Sequence, residues 1–155
     1  MPFDFLPFTW IFPLAYVVHI AEEHWCGGGF CGYLGRSKGV RLTPLRFLTL
    51  TGLGCALMVL GILLAEPLDF RRSLLIIFGT VLLTNGLAHA RTGARERLYH
   101  PGLVSGALLW TPLGAATLFT SLWTVSADAY VPALAVGLGI QMVVSRLAVG
   151  GGKLA

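Results

Sequence analysis

The amino-acid sequence predicts an all-α integral membrane bundle of about five transmembrane helices, with the N-terminus outside and the C-terminus cytoplasmic. Three observations predict it. Of 155 residues, 55% are hydrophobic and only 12% are charged, where soluble domains carry roughly 25% charged residues. Mean hydropathy is +0.77. The apolar residues also gather into runs close to the roughly 20 residues that cross a hydrocarbon layer. The same composition excludes a disordered chain. Hydrocarbon offers no hydrogen-bond partners, so runs this long satisfy their backbone only as helices, and the alternation of a membrane barrel is absent.

The spans are predicted at about 5–23, 43–65, 73–90, 101–123 and 129–149, in a single domain. The first holds Trp10, Pro13 and Tyr16 and ends in Glu22-Glu23-His24. A cleavable signal peptide has that length, but it needs a basic start and a small-residue cleavage site, and this segment has neither. Glu66-Pro67 stops the second span, and Arg71-Arg72 and Arg91 bound the third. Pro101 opens the fourth, as proline favours the first helical position. Gly150-Gly151-Gly152 ends the fifth. The many glycines within the runs read as close-packing points between helices in lipid.

Orientation follows from the cations. With the N-terminus outside, nine of the eleven basic residues fall on the cytoplasmic side and only Arg71 and Arg72 on the other. That asymmetry accounts for the net charge of +4, so nucleic acid is not a predicted partner. The expected setting is a multi-pass protein of the cytoplasmic or inner membrane, in contact with lipid and open to self-association or a membrane-protein partner. Cys26, Cys31 and Cys55 match no zinc-ribbon or redox spacing, and a disulfide framework is not expected.

Polar groups inside apolar runs cost roughly 2.5 to 3.5 kcal/mol each for a mid-membrane charge, so the few present need a reason. His19, Glu22 and Glu23 stand at i, i+3 and i+4 on one helix face, and Asn85 and His89 at i, i+4 on another. In the predicted orientation both groups lie at cytoplasmic ends, and His100 opens the fourth span from the same side. All four histidines thus share one depth.

Imidazoles and carboxylates presented from separate helices form the ligand set of a divalent metal, zinc first and iron or manganese as variants. The expected roles are His19, Glu23 and His89 as metal ligands and Glu22 as general base, with Glu22 and Glu23 able to exchange. Asn85 positions the reacting group, and His24 and His100 are additional candidates. The expected activity is hydrolysis of a lipid or other amphiphile at the cytoplasmic leaflet. The rival readings are a proton-linked transporter, or an accessory subunit in which the polar cluster is a structural clasp. The loop from Cys26 to Tyr33 reads as a flexible connector, Arg91, Arg95 and Arg97 suit topology or an anionic headgroup, and the facing of Gln141 stays open.

His19-Ile-Ala-Glu22-Glu23 has the form H-x-x-E-E. With Asn85-Gly-Leu-Ala-His89, with Tyr99-His100-Pro101-Gly102-Leu103-Val104-Ser105 and with Pro112, the chain resembles the HXXEE-motif family of small integral membrane proteins over most of its length. The resemblance implies that His19, Glu22, Glu23, Asn85 and His89 form the site. It supplies no reaction, and it does not extend to His24 or the loop cysteines.

Overall fold

The computed structural model describes residues 8–149. Six helices follow in order: α1 (Ile11–Trp25), α2 (Phe30–Lys38), α3 (Pro44–Ala65), α4 (Arg71–Glu96), α5 (Leu103–Thr124) and α6 (Ala127–Val149). Among the described residues there is no strand. Four helices, α3 to α6, are long and apolar enough to cross a membrane. The expected first span corresponds to α1, whose 15 residues end in the polar His19-to-His24 face. Its predicted start at Phe5, like the terminating Gly150 to Gly152 and Lys153, lies outside the described residues.

Local chemistry explains most boundaries. Thr43 caps α3 by accepting a hydrogen bond from the Arg46 amide at 3.2 Å, with Pro44 at the first helical position. Helix α4 runs past the expected end at Ala90 to Glu96, passing through Gly93, which is buried against Leu103, and the chain turns only at Arg97, in a left-handed conformation at φ +54°. Helix α5 begins at Leu103 rather than Pro101, since Gly102 adopts φ +84°. Pro112 sits early in its regular part, directly after a π-helical segment, Gly106–Trp110. That segment absorbs the missing proline donor: the Thr111 amide and hydroxyl both turn to the Gly106 carbonyl.

The unexpected element is α2. Gly27, Gly28 and Gly29 all take positive φ, so the chain reverses sharply and re-enters a helix. Leu34, Val40, Leu42 and Phe47 form a small core beneath it.

Helix α4 is the centre of the bundle. Half of its apolar stretch is buried, against 17% for α3 and 11% for α6, whose other faces are left to the surroundings. Phe12, Ile62, Phe78, Leu82 and Trp110 join α1, α3, α4 and α5 in the main core. Small residues set the helix spacing. A Cβ on Gly114 would stand 2.6 Å from both the Gly79 carbonyl oxygen and the Leu83 nitrogen, and one on Gly137 would stand 2.6 Å from Thr80 Cβ. The helix ends are tied by arginines: Arg46 donates to the Leu147 carbonyl at 3.1 Å, and Arg72 to the Thr124 carbonyl at 3.2 Å at the opposite end.

Candidate metal centre

The last turns of α1 bring His19 and Glu23 to the inner face, four residues apart. The last third of α4 brings His89, and the start of α5 closes the site. His19 has no exposed surface, and Glu23 and His89 are 6% and 7% exposed. One ligand atom from each of these three residues lies within 4.8 Å of the others. The Glu23 carboxylate stands between the imidazoles: its Oε1 is 3.4 Å from His89 Nε2 and 3.7 Å from His19 Nε2. Among the described residues, His19 Nε2 and His89 Nδ1 are buried nitrogens with no hydrogen-bond partner. Buried polar atoms are rarely left unpaired; His19 Nε2 faces the Glu23 carboxylate, and two imidazoles with one carboxylate are a donor set for a cation.

Glu22 points the other way. Its carboxylate accepts from the Tyr99 hydroxyl at 3.0 Å, the Val104 amide at 3.0 Å, the Ser105 amide at 2.7 Å and the Ser105 hydroxyl. These four donors occupy the roughly four lone-pair sites of a carboxylate. The two amides are orphan donors of the first turn of α5, where Gly102 offers no side-chain cap, so a residue of α1 caps a helix about eighty positions away. Burial first, then donation to Glu22, raises the pKa of Tyr99 above the ordinary tyrosine value.

Ser105 links the two glutamates' surroundings. Its hydroxyl proton is directed to Glu22, an acceptor only, so its oxygen accepts from His19 Nδ1–H at 2.8 Å. This fixes the His19 tautomer and leaves the Nε2 lone pair facing Glu23. Glu22, the expected general base, thus has its carboxylate engaged by four donors from the Tyr99-to-Ser105 segment.

The other predicted residues fall as follows. Asn85 shares α4 with His89 but accepts from Gln141 Nε2 on α6 at 3.2 Å, outside the cluster. The bond joins α4 to α6, and it gives the facing of Gln141. His100 is 2% exposed and its ring lies 5.2 Å from that of His89. Its ring nitrogens lie 3.1 Å from the Pro101 carbonyl oxygen and 3.0 Å from that of His89, so its N–H is held by the backbone, and it stands outside the three-residue cluster. His24 stacks on Phe47, with ring centroids 6.2 Å apart, and takes no part in the cluster. Cys26, Cys31 and Cys55 are free thiols.

Sequence reasoning missed three contributors. Ser105 and Gly102 lie in the quoted Tyr99-to-Ser105 segment, whose purpose shows only when it meets α1. A Cβ on Gly102 would stand 2.6 Å from His89 Cε1 and 3.0 Å from Glu23 Cγ, so the glycine admits the ring. Trp110 covers His19 at a centroid distance of 3.8 Å and donates to the Ala15 carbonyl at 2.9 Å.

An all-helical protein with four helices of membrane-crossing length and a buried two-histidine, one-carboxylate cluster at one end of the bundle is the class that this fold and site define. The chain belongs to the family described as proteins of unknown function with an HXXEE motif, whose family model matches residues 10–117. That range contains His19, Glu22, Glu23, His89, Gly102, Ser105 and Trp110. Searches of curated proteins and of solved structures find no match.

Proposed function

We propose that this protein is a metal-dependent membrane hydrolase acting on a lipid or other amphiphile at the cytoplasmic leaflet. The observation that carries the reading is the convergence of His19 Nε2, Glu23 and His89, buried and from two helices, with unpartnered nitrogens on both imidazoles. Two histidines and one carboxylate leave a coordination position free, which is the pattern of catalytic sites. A divalent cation there, zinc first and iron or manganese as variants, supplies Lewis acidity toward a carbonyl or phosphoryl oxygen. His19, Glu23 and His89 hold it. Glu22, through Ser105, keeps His19 in the tautomer that presents Nε2, and Trp110 and Phe30 keep bulk water from the rings.

In this reading α1 is a fifth crossing, the N-terminus is outside and the C-terminus is cytoplasmic. The exposed Leu14, Val17 and Val18 of α1, at 64%, 52% and 47%, support a lipid-facing side for that helix. The nine-to-two division of basic residues supports the orientation.

The test is metal content by mass spectrometry on detergent-purified protein, for wild type, His19→Ala and His89→Ala. The expected result is about one equivalent of metal in wild type and loss in both variants. Metal-loaded protein is then assayed against ester and phosphoester lipids. A wild type without metal after reconstitution overturns the reading and leaves the cluster as a structural clasp.

A further inference from the structure

Beside the cluster, a second feature stands on different residues. A cleft of about 240 Å³ opens at the same end of the bundle, lined by Lys38 from the end of α2 and by Arg91, Thr92, Arg95 and Glu96 from the end of α4. We propose that this cleft binds a phosphate group.

The charge balance comes first. Glu96 is the single acid in the lining, and it is already engaged: it accepts the Tyr33 hydroxyl at 2.9 and 3.0 Å and pairs with Lys38 Nζ at 3.7 Å. Arg91 and Arg95 make no ion pair or hydrogen bond with another described side chain, so the cleft keeps two uncompensated guanidinium groups. They stand at i, i+4, neighbours on one helix face, where like charges repel unless an anion lies between them. Guanidinium groups present paired donors that match phosphate oxygens, which makes arginine the residue suited to this ligand.

Size and place narrow the occupant. Pockets for drug-sized ligands begin at roughly 300 Å³, so this cleft accommodates a headgroup and not a whole lipid. It lies where α4 leaves its apolar stretch, beginning two residues beyond His89. The proposal does not depend on the metal reading, since none of its residues belongs to the cluster.

The experiment measures phosphatidylglycerol retained by the full chain in neutral detergent, counted by native mass spectrometry, with inorganic phosphate as competitor. Arg91→Gln and Arg95→Gln are each expected to weaken retention by about fivefold, the contribution of one cation near an anionic surface. Arg41→Gln, an exposed cation of the same end outside the cleft, is expected to retain the lipid as wild type does. Arg95→Lys preserves the charge pattern that directs insertion, so its intermediate retention supports the proposal even where a glutamine variant fails to fold. Displacement by millimolar inorganic phosphate assigns the site to free phosphate, and retention against it assigns the lipid headgroup; both support a phosphate site. Equal retention by wild type and both glutamine variants overturns it, and so does an equal loss in Arg41→Gln.

Discussion

His19 and Ser105, 86 positions apart, share a 2.8 Å hydrogen bond between Nδ1 and Oγ. The bond makes the histidine's tautomer a property of two helices: Ser105 can accept from Nδ1 only while its own proton goes to Glu22. Removing the hydroxyl in Ser105→Ala leaves a buried Nδ1–H unpaired and frees the ring to rotate. Outer partners of metal-binding histidines are worth about 10- to 100-fold in affinity. Chelator competition on purified Ser105→Ala is expected to show a loss of that size, with the helical circular dichroism unchanged.

The adjacent glutamates should separate cleanly. Glu22→Gln places an amide where four donors converge, so an N–H faces an N–H at the start of α5. The cost is about 1–3 kcal/mol of stability, read as a lower thermal midpoint in detergent, with metal affinity weakened no further than in Ser105→Ala and the metal not lost. Glu23→Gln removes the carboxylate between the imidazoles and is expected to lose the metal while retaining the fold. Loss of metal in Glu22→Gln with full retention in Glu23→Gln would reverse the two assignments.

Gly102 allows backbone strain and steric collision to be told apart. Gly102→Ala and Gly39→Ala both force alanine into positive φ, +84° and +62°, at about 1 kcal/mol or somewhat more each. A Cβ at Gly39 meets nothing within 4 Å, whereas one at Gly102 meets His89 and Glu23 at 2.6 to 3.0 Å. Gly102→Ala should therefore lower the thermal midpoint clearly more than Gly39→Ala and also reduce metal content. Equal effects on both measures would remove Gly102 from the site.

Much of this was legible in the sequence because membrane helices announce themselves by length and apolarity. The end of α3 is marked by Glu66-Pro67, and the trio His19, Glu23 and His89 by helical spacing and shared depth. What the sequence hid depended on contacts between distant segments. Glu22 and Glu23 are adjacent acids, and only the approach of α5 assigns one to cap amides and the other to face imidazoles. Three consecutive glycines suggest a flexible connector more than a re-entrant turn, yet each is held at positive φ to reverse the chain into α2. Depth groups His100 with the ligands, but its ring lies against the Pro101 and His89 carbonyls, outside the cluster.

Asn85 gives the sharpest contrast between a shared motif and a shared site. It lies one turn before His89, yet its side-chain oxygen accepts from Gln141 on α6. That bond joins two helices across an apolar interface, where such bonds average about 0.6 kcal/mol. A double-mutant cycle of Asn85→Ala and Gln141→Ala, followed by thermal unfolding in detergent, is expected to give a coupling of that order. Metal content should stay at the wild-type level in all three variants, because neither side chain reaches Glu23 or the imidazoles. A large drop in metal on Asn85→Ala alone, without a change in stability, would return Asn85 to the site.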